Sequence, residues 1–438
     1  MIGAGGGGGA GIGAGSRAAL PPGYGAPALP GYAPAMPPPP NAFRAHWTLD
    51  PKVTFLNHGS FGACPRPVLE AQDRWRARLE AEPVRFMVRE LEPGLDAARA
   101  AIGAFLGADP DDIAFVPNAT TGVNTVLRSL ALKPGDELLT TDHVYNACEN
   151  VLRFVAAASG ARVVLAPVPF PSRGQDEIVD AVLAHVRPAT RLVLLDHITS
   201  PTGIVFPIER LVAELGKRGV DTLIDGAHGP GMLPLDLRRL GAAYYTGNFH
   251  KWVCAPKGAA MLWVRRDRQA QVRPLVISHG ANSPRTDRSR FRLEFDWGGT
   301  DDPTPYLCVP DALGFLGGLL PGGWPALMAH NRAKALAMRT RLAARLGATL
   351  PCPDDMIGTL AAIPIPAAQS APPAAAPRPA YQTALQTALV ERHAVQVPII
   401  EWFQPMRRFV RISAQVYNDP AEYDRLADAL LTELAAGR

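Results

Sequence analysis

Two hydrophobic rhythms alternate along the middle of the chain. Apolar residues recur at helical spacing over 68–79, 95–106, 122–130, 147–158 and 208–218. Between them lie short runs rich in Val, Leu and Ile, at 113–116, 137–140, 162–165, 191–195 and 221–224. Runs this short fit strands, and segments of roughly 10–15 residues fit helices. Strands alternating with helices predict an α/β fold, a mainly parallel sheet with helices on both faces. In such sheets ligands bind beyond the carboxyl ends of the strands. The residues that follow each strand are therefore the place to look for chemistry.

The rhythm fails in two stretches. Residues 1–42 carry nine glycines in the first fifteen positions and then a Pro-rich run, too little apolar surface to offset ordering, so a disordered tail is expected. Its GxGxxG-like spacings follow no strand, so a dinucleotide fingerprint is not indicated. It also lacks the charged start and apolar block of a secretory signal. Residues 364–379 form a second Pro/Ala-rich stretch, expected to be a flexible loop.

Composition narrows the classes. With 47% hydrophobic residues in 438, a large core can be buried. Lys and Arg total 44 against 40 Asp and Glu, a balance that argues against a nucleic-acid binder. No apolar run approaches the ~18 residues of a membrane span. The five cysteines are widely spaced with no CxxC pair, which suits neither a disulfide framework nor a zinc ribbon and points to the cytoplasm.

Polar groups collect at successive strand ends. After 113–116 comes Asn118-Ala119-Thr120-Thr121-Gly122 at a helix start, a place for a phosphate or an ordinary helix cap. After 137–140 come two flat rings, His143 and Tyr145. Next come Asp196-His197 with Ser200, and then Asp225-Gly226-Ala227-His228. A carboxylate at the end of a buried strand needs a partner to stay charged cheaply, and a protonated pyridine nitrogen would serve. Last comes Asn248-Phe249-His250-Lys251-Trp252. A partly buried lysine there has a lowered pKa and can act as a nucleophile.

Taken in order, these segments resemble the class V aminotransferase superfamily, and within it the isopenicillin N epimerase-like branch. Residues 55–62, 118–124, 225–228, 247–252, 297–302 and 411–418 carry the resemblance. It implies a fold type I enzyme dependent on pyridoxal 5′-phosphate (PLP), with a seven-stranded large domain at 76–310 and a smaller α+β domain at 311–438. Residues 43–75 would pack with the small domain. Lys251 would form the Schiff base and move protons, and Asp225 would pair with the pyridine nitrogen. Ala119, Thr120, Thr121, Asn248 and His250 would hold the phosphate, with Thr300 reaching it across a homodimer interface. His228 and Ser200 would lie near the ring hydroxyl. Either His143 or Tyr145 would stack on the ring. Asn57 and His58 would face the substrate, and Arg411 would take its α-carboxylate.

The resemblance leaves the reaction open: epimerisation of an amino acid, C–S or β-lysis of the cysteine desulfhydrase or hercynylcysteine sulfoxide lyase kind, or transamination. Neither Cys308 nor Cys352 stands in a desulfurase-like context, so persulfide formation is not expected. Readings from other classes are an amino-acid-binding protein on the same fold and a zinc hydrolase using His58, His228 and His250. Both sit poorly with an intact Lys251 and Asp225. The arginines at 285, 288, 290 and 292 would line the pocket or be solvated.

Overall fold

The computed structural model describes residues 41–366, 383–403 and 406–437. Most of the expected tail and most of the 364–379 loop lie outside these. Two of the tail's residues do not behave as expected. Asn41 caps a short helical turn at Ala42–His46, and its side-chain amide donates to the Val416 carbonyl. The expected loop also starts too early, because Pro364 and Ile365 complete a strand. That strand is at a sheet edge, where a missing N–H is tolerated.

The central sheet has seven strands. They are β2 (Ile113–Val116), β3 (Glu137–Thr141), β4 (Arg162–Ala166), β5 (Thr190–Asp196), β6 (Asp221–Asp225), β7 (Tyr244–Asn248) and β8 (Ala260–Val264), numbered after β1 (Thr54–Phe55). Their order across the sheet is β2-β8-β7-β6-β5-β3-β4. Only β8 runs against its neighbours. Apart from the edge strand β4, which is mostly exposed or half-buried, the strands are buried on both faces. Leu138, Leu192, Leu194, Leu223 and Leu262 meet Val123, Val126 and Leu152 on one side. Leu139, Val193, Leu195, Ile224 and Met261 meet Ile178, Ile208 and Leu211 on the other. Double burial erases hydrophobic/polar alternation, which is why these strands read as continuous apolar runs.

The expected helices are present as Arg66–Ala81, Leu91–Leu106, Ala119–Ser129, Asn146–Ser159 and Ile208–Lys217. Helix Ala119–Ser129 lies close over β7, because a β-carbon on Gly122 would come within 2.2 Å of the Thr246 hydroxyl. This contact brings the helix start down to the strand ends.

A second, antiparallel sheet has the order β11-β12-β9, from β9 (Leu360–Ile365), β11 (Ile399–Phe403) and β12 (Met406–Ser413). Helix Gly323–Leu346 packs on β9. β1 pairs in parallel with β10 (Val395–Gln396), which ties the segment before the large sheet to the C-terminal part. Among the described residues no helix is long and apolar enough to cross a membrane.

The turn after β12 is held by one cation. The Lys334 ammonium donates to the carbonyls of Gln415, Val416 and Asn418 at 2.7–3.0 Å. Lys334→Met takes the ammonium from the Asn418 carbonyl, while the Gln415 and Val416 carbonyls keep the Asn418 amide and the Asn41 side chain. We expect it to cost about 2 kcal/mol in unfolding free energy, read by chemical denaturation. An unchanged midpoint would show that water replaces the ammonium at no cost.

Candidate active site

The carboxyl ends of β3, β5, β6 and β7 lie side by side, and Lys251 follows β7 by three residues. Its amine is buried. Desolvation brings its pKa down to about 8, against an opposing pull from the Asp225 carboxylate. Nζ lies 3.1 Å from His228 Nε2. The other ring nitrogen of His228 accepts from the Trp252 indole N–H at 3.2 Å. An indole N–H only donates, so the neutral imidazole carries its proton on Nε2 and turns it toward Lys251. An ammonium has no lone pair to receive that proton, whereas a free amine has one. The contact therefore matches an uncharged lysine. Burial, and then the nearby Lys251 charge, holds His228 well below the usual histidine range.

Asp225 ends β6 and is buried. One oxygen accepts the Ala227 amide at 3.0 Å, and the other accepts the Cys148 thiol at 3.1 Å. In the register of adjacent strands its neighbour is Asp196. Burial, then the Asp225 charge, pushes the Asp196 carboxyl well up. The Tyr145 amide donates to Asp196. In the sequence Asp196 was one polar residue at a strand end with no role attached, and Cys148 did not stand out. Only their positions, on a helix start and a neighbouring strand, bring them to Asp225.

At the start of helix Ala119–Ser129 the expected donors divide. Asn118 is the cap. Its side-chain oxygen takes the Thr121 amide at 2.8 Å and the Thr121 hydroxyl at 3.0 Å. The Ala119 amide donates to Asn248 Oδ1 at 2.8 Å. The Thr120 hydroxyl and the Asn248 NH2 make no hydrogen bond to another described residue. His250, half-buried, donates from Nδ1 to the Ala259 carbonyl at 3.1 Å, which leaves Nε2 as its outward nitrogen.

The two rings separate clearly. His143 is 0% exposed, with Nδ1 bonded to the Thr202 hydroxyl at 2.9 Å and Nε2 to the Val168 carbonyl at 3.3 Å. Phe170, Phe206 and Trp402 enclose its ring. Tyr145 is 43% exposed at the start of helix Asn146–Ser159. Of the two alternatives for the stacking ring, His143 is thus buried with both nitrogens hydrogen-bonded, and Tyr145 is the more exposed.

Arg411, in β12, is 2% exposed. It donates to the carbonyl and hydroxyl of Ser200 and, at 3.0 Å, to the Ser60 hydroxyl. Ser60 in turn donates to Asn57 Oδ1 at 2.5 Å. Ser200 thus meets Arg411 directly. His58 does not line the pocket as expected. It is fully buried, between the Tyr417 hydroxyl and the Lys251 carbonyl. Thr300 is exposed, and no contact joins it to Lys251 within the chain. The arginines at 288 and 292 pair with Asp96, alongside Asp296 and Asp111, at the wall of a cleft of about 640 Å³, so they serve as structural ion pairs. All five cysteines are buried and unpaired. Among the described residues no group of three or more His, Cys, Asp or Glu is placed to hold a metal ion.

Comparison with known proteins gives the family and the fold. The aminotransferase class-V family matches residues 61–297. Isopenicillin N epimerase of Streptomyces clavuligerus is 35% identical over 401 residues, covering 88% of this chain and 96% of that protein. A probable chloroplastic L-cysteine desulfhydrase of Arabidopsis thaliana is 31% identical over 408 residues, covering 87% of this chain and 83% of that protein. The solved complex of the cystine C–S lyase C-DES with cysteine persulfide shares the fold, with a TM-score of 0.73 at 23% identity over 86% of this chain and 97% of that one. The chain belongs to the class V aminotransferase family of PLP-dependent enzymes.

Proposed function

We propose that the protein acts at the Cα of an amino acid and inverts its configuration, as an epimerase. The residues present fit the cofactor. Asp225 offers a buried carboxylate to a pyridine nitrogen, and Thr120, Asn248 and His250 offer a phosphate site at a helix start. Thr121 and Ala119 shape that site, since their donors hold Asn118 and Asn248. Bound there, PLP supplies a sink for the electrons left at Cα.

The chain's own groups then divide the work. Lys251 Nζ holds the cofactor and afterwards moves the Cα proton on its own side. Arg411 exchanges the Ser200 carbonyl for the substrate α-carboxylate, a better acceptor for a planar fork. His228, whose Nε2 proton faces Lys251 Nζ, would stand beside the cofactor's ring hydroxyl once the lysine holds it. Inversion needs a second proton carrier on the far face. The exposed phenol of Tyr145 is the group we assign, and also the ring that stacks there. This placement, a reachable Tyr145 with His143 sealed away, is the observation that carries the reading. Thr300 is exposed, which suits a role toward a neighbouring subunit of a homodimer.

A second reading rests on the desulfhydrase relatives. Elimination of a thiol from Cβ needs only one base on one face, and Lys251 alone supplies it. Persulfide chemistry at a cysteine fits poorly, since burial holds the Cys64 and Cys308 thiols up at about 12 and also pushes the Cys148 thiol well up.

Two outcomes follow. Tyr145→Phe should slow loss of optical activity about 100-fold or more, with visible cofactor absorbance unchanged. Undiminished inversion in that variant removes Tyr145 from the mechanism, and sulfide with pyruvate from cysteine makes the enzyme a lyase. The lowered Lys251 pKa also sets a pH dependence. Its neutral amine forms as pH rises through about 8, so capture of an aromatic aldehyde should rise and level off there. A surface lysine would keep gaining up to about 10.4. Borohydride reduction and peptide mapping locate the label, and Lys251→Ala should abolish it.

A further inference from the structure

The backbone of Lys251 is held as firmly as its amine. Its carbonyl accepts the Cys254 amide at 3.0 Å, which closes a tight turn. Cys254 sits at φ +58°, a left-handed conformation that a β-carbon disfavours, so the turn is strained and needs support. His58 Nε2 lies 3.0 Å from the same carbonyl oxygen. A carbonyl only accepts, so Nε2 carries the proton and Nδ1 is the lone pair. That lone pair accepts the Tyr417 hydroxyl at 2.8 Å. The Gln415 amide and the Cys254 thiol stand farther from Nε2, at 3.4 and 3.6 Å. The shorter carbonyl contact decides the tautomer, because two facing lone pairs at 3.0 Å would repel. Burial keeps the ring neutral, down to a pKa of about 3.

The packing agrees with the hydrogen bonds. The His58 ring centre lies 5.0 Å from that of Trp252. Gly62, just after the turn His58–Phe61, adopts φ +70°, and a β-carbon there would sit 1.9 Å from the His250 carbonyl. The turn is thus pressed onto the backbone immediately before Lys251. It also bonds to β12 twice, through Ser60 to Arg411 and through the Gly59 amide to Ser413 Oγ at 3.0 Å.

We propose that Tyr417 and His58 are a positioning pair for Lys251. Tyr417 sets the His58 tautomer, and His58 holds the Lys251 carbonyl so that the strained turn presents Nζ between His228 and Asp225. The proposal rests on reading Lys251 as the residue that holds PLP. It assigns His58 to the lysine rather than to the substrate, and it makes the C-terminal segment part of the lysine's support.

The test uses the full-length protein and three variants. Gln keeps an N–H where His58 Nε2 stands, Leu keeps only the bulk, and Tyr417→Phe removes the hydroxyl alone. The readout is the rate at which added PLP acquires its lysine-bound absorption band. His58→Leu should capture PLP about tenfold more slowly, with His58→Gln within about twofold of the parent and Tyr417→Phe between them. Equal rates for the parent and His58→Leu overturn the proposal, as does His58→Gln as slow as His58→Leu. If His58→Leu fails to fold, an unchanged rate in Tyr417→Phe overturns it. Ring-nitrogen NMR of the unloaded protein, with the His58 signals assigned by their loss in His58→Gln, adds an independent reading: His58 protonated on Nε2 supports the pair, and His58 protonated on Nδ1 sinks it. Failure of the parent to capture PLP would instead remove the cofactor reading, and the NMR result would stand by itself.

Discussion

Burying an amine at the end of a sheet is the constraint on which the site depends. Water would keep Lys251 charged and unreactive, and burial makes that charge expensive. The surroundings are consistent with the same demand. His228 meets Nζ as a proton donor, which only a free amine can accept. Asp225 supplies the opposing charge nearby, and it is kept in place by an amide and a thiol rather than by a cation that would neutralise it. A doubly covered parallel sheet suits this arrangement, because its strand ends are the one place where buried backbone gives way to side chains of several elements at once.

Much of this was legible in the sequence. The strand of residues 113–116 matches its expected limits, and the neighbouring strands differ by a residue or so, because buried aliphatic runs between helices have few other uses. Lys251, Asp225 and His228 stood out from their strand-end setting and Arg411 from the family resemblance, and the structure brings them into one region. β8 and the helix Gln175–Leu183 were harder to see. A run such as Ala260–Val264, buried on both faces, carries no alternation that would tell a strand from a helix.

What sequence could not supply was the direction of each side chain. His143 and Tyr145 are two residues apart, and nothing local says which faces the opening. Phe170, Phe206 and Trp402, far apart in the chain, lie against His143, and Tyr145 is left the more exposed of the two. The family resemblance placed His58, with Asn57, toward the substrate. Its partners, at 251 and 417, turn it the other way. Thr121 likewise read as a phosphate donor until Asn118 was seen to occupy it.

The joining of distant segments carries one more implication, and it concerns time. Asn41 bonds Asp419 and Val416, Arg44 pairs with Glu422, and β1 lies against β10. Segments made first during synthesis must therefore wait for segments made near the end. The large sheet, whose helices and strands follow one another closely, can condense early, since nearby contacts close cheaply. The turn around Lys251 cannot be complete until the residues after β12 emerge. The nascent chain thus acquires a fold well before it acquires an ordered lysine, so a ribosome-bound enzyme would be compact yet chemically unfinished.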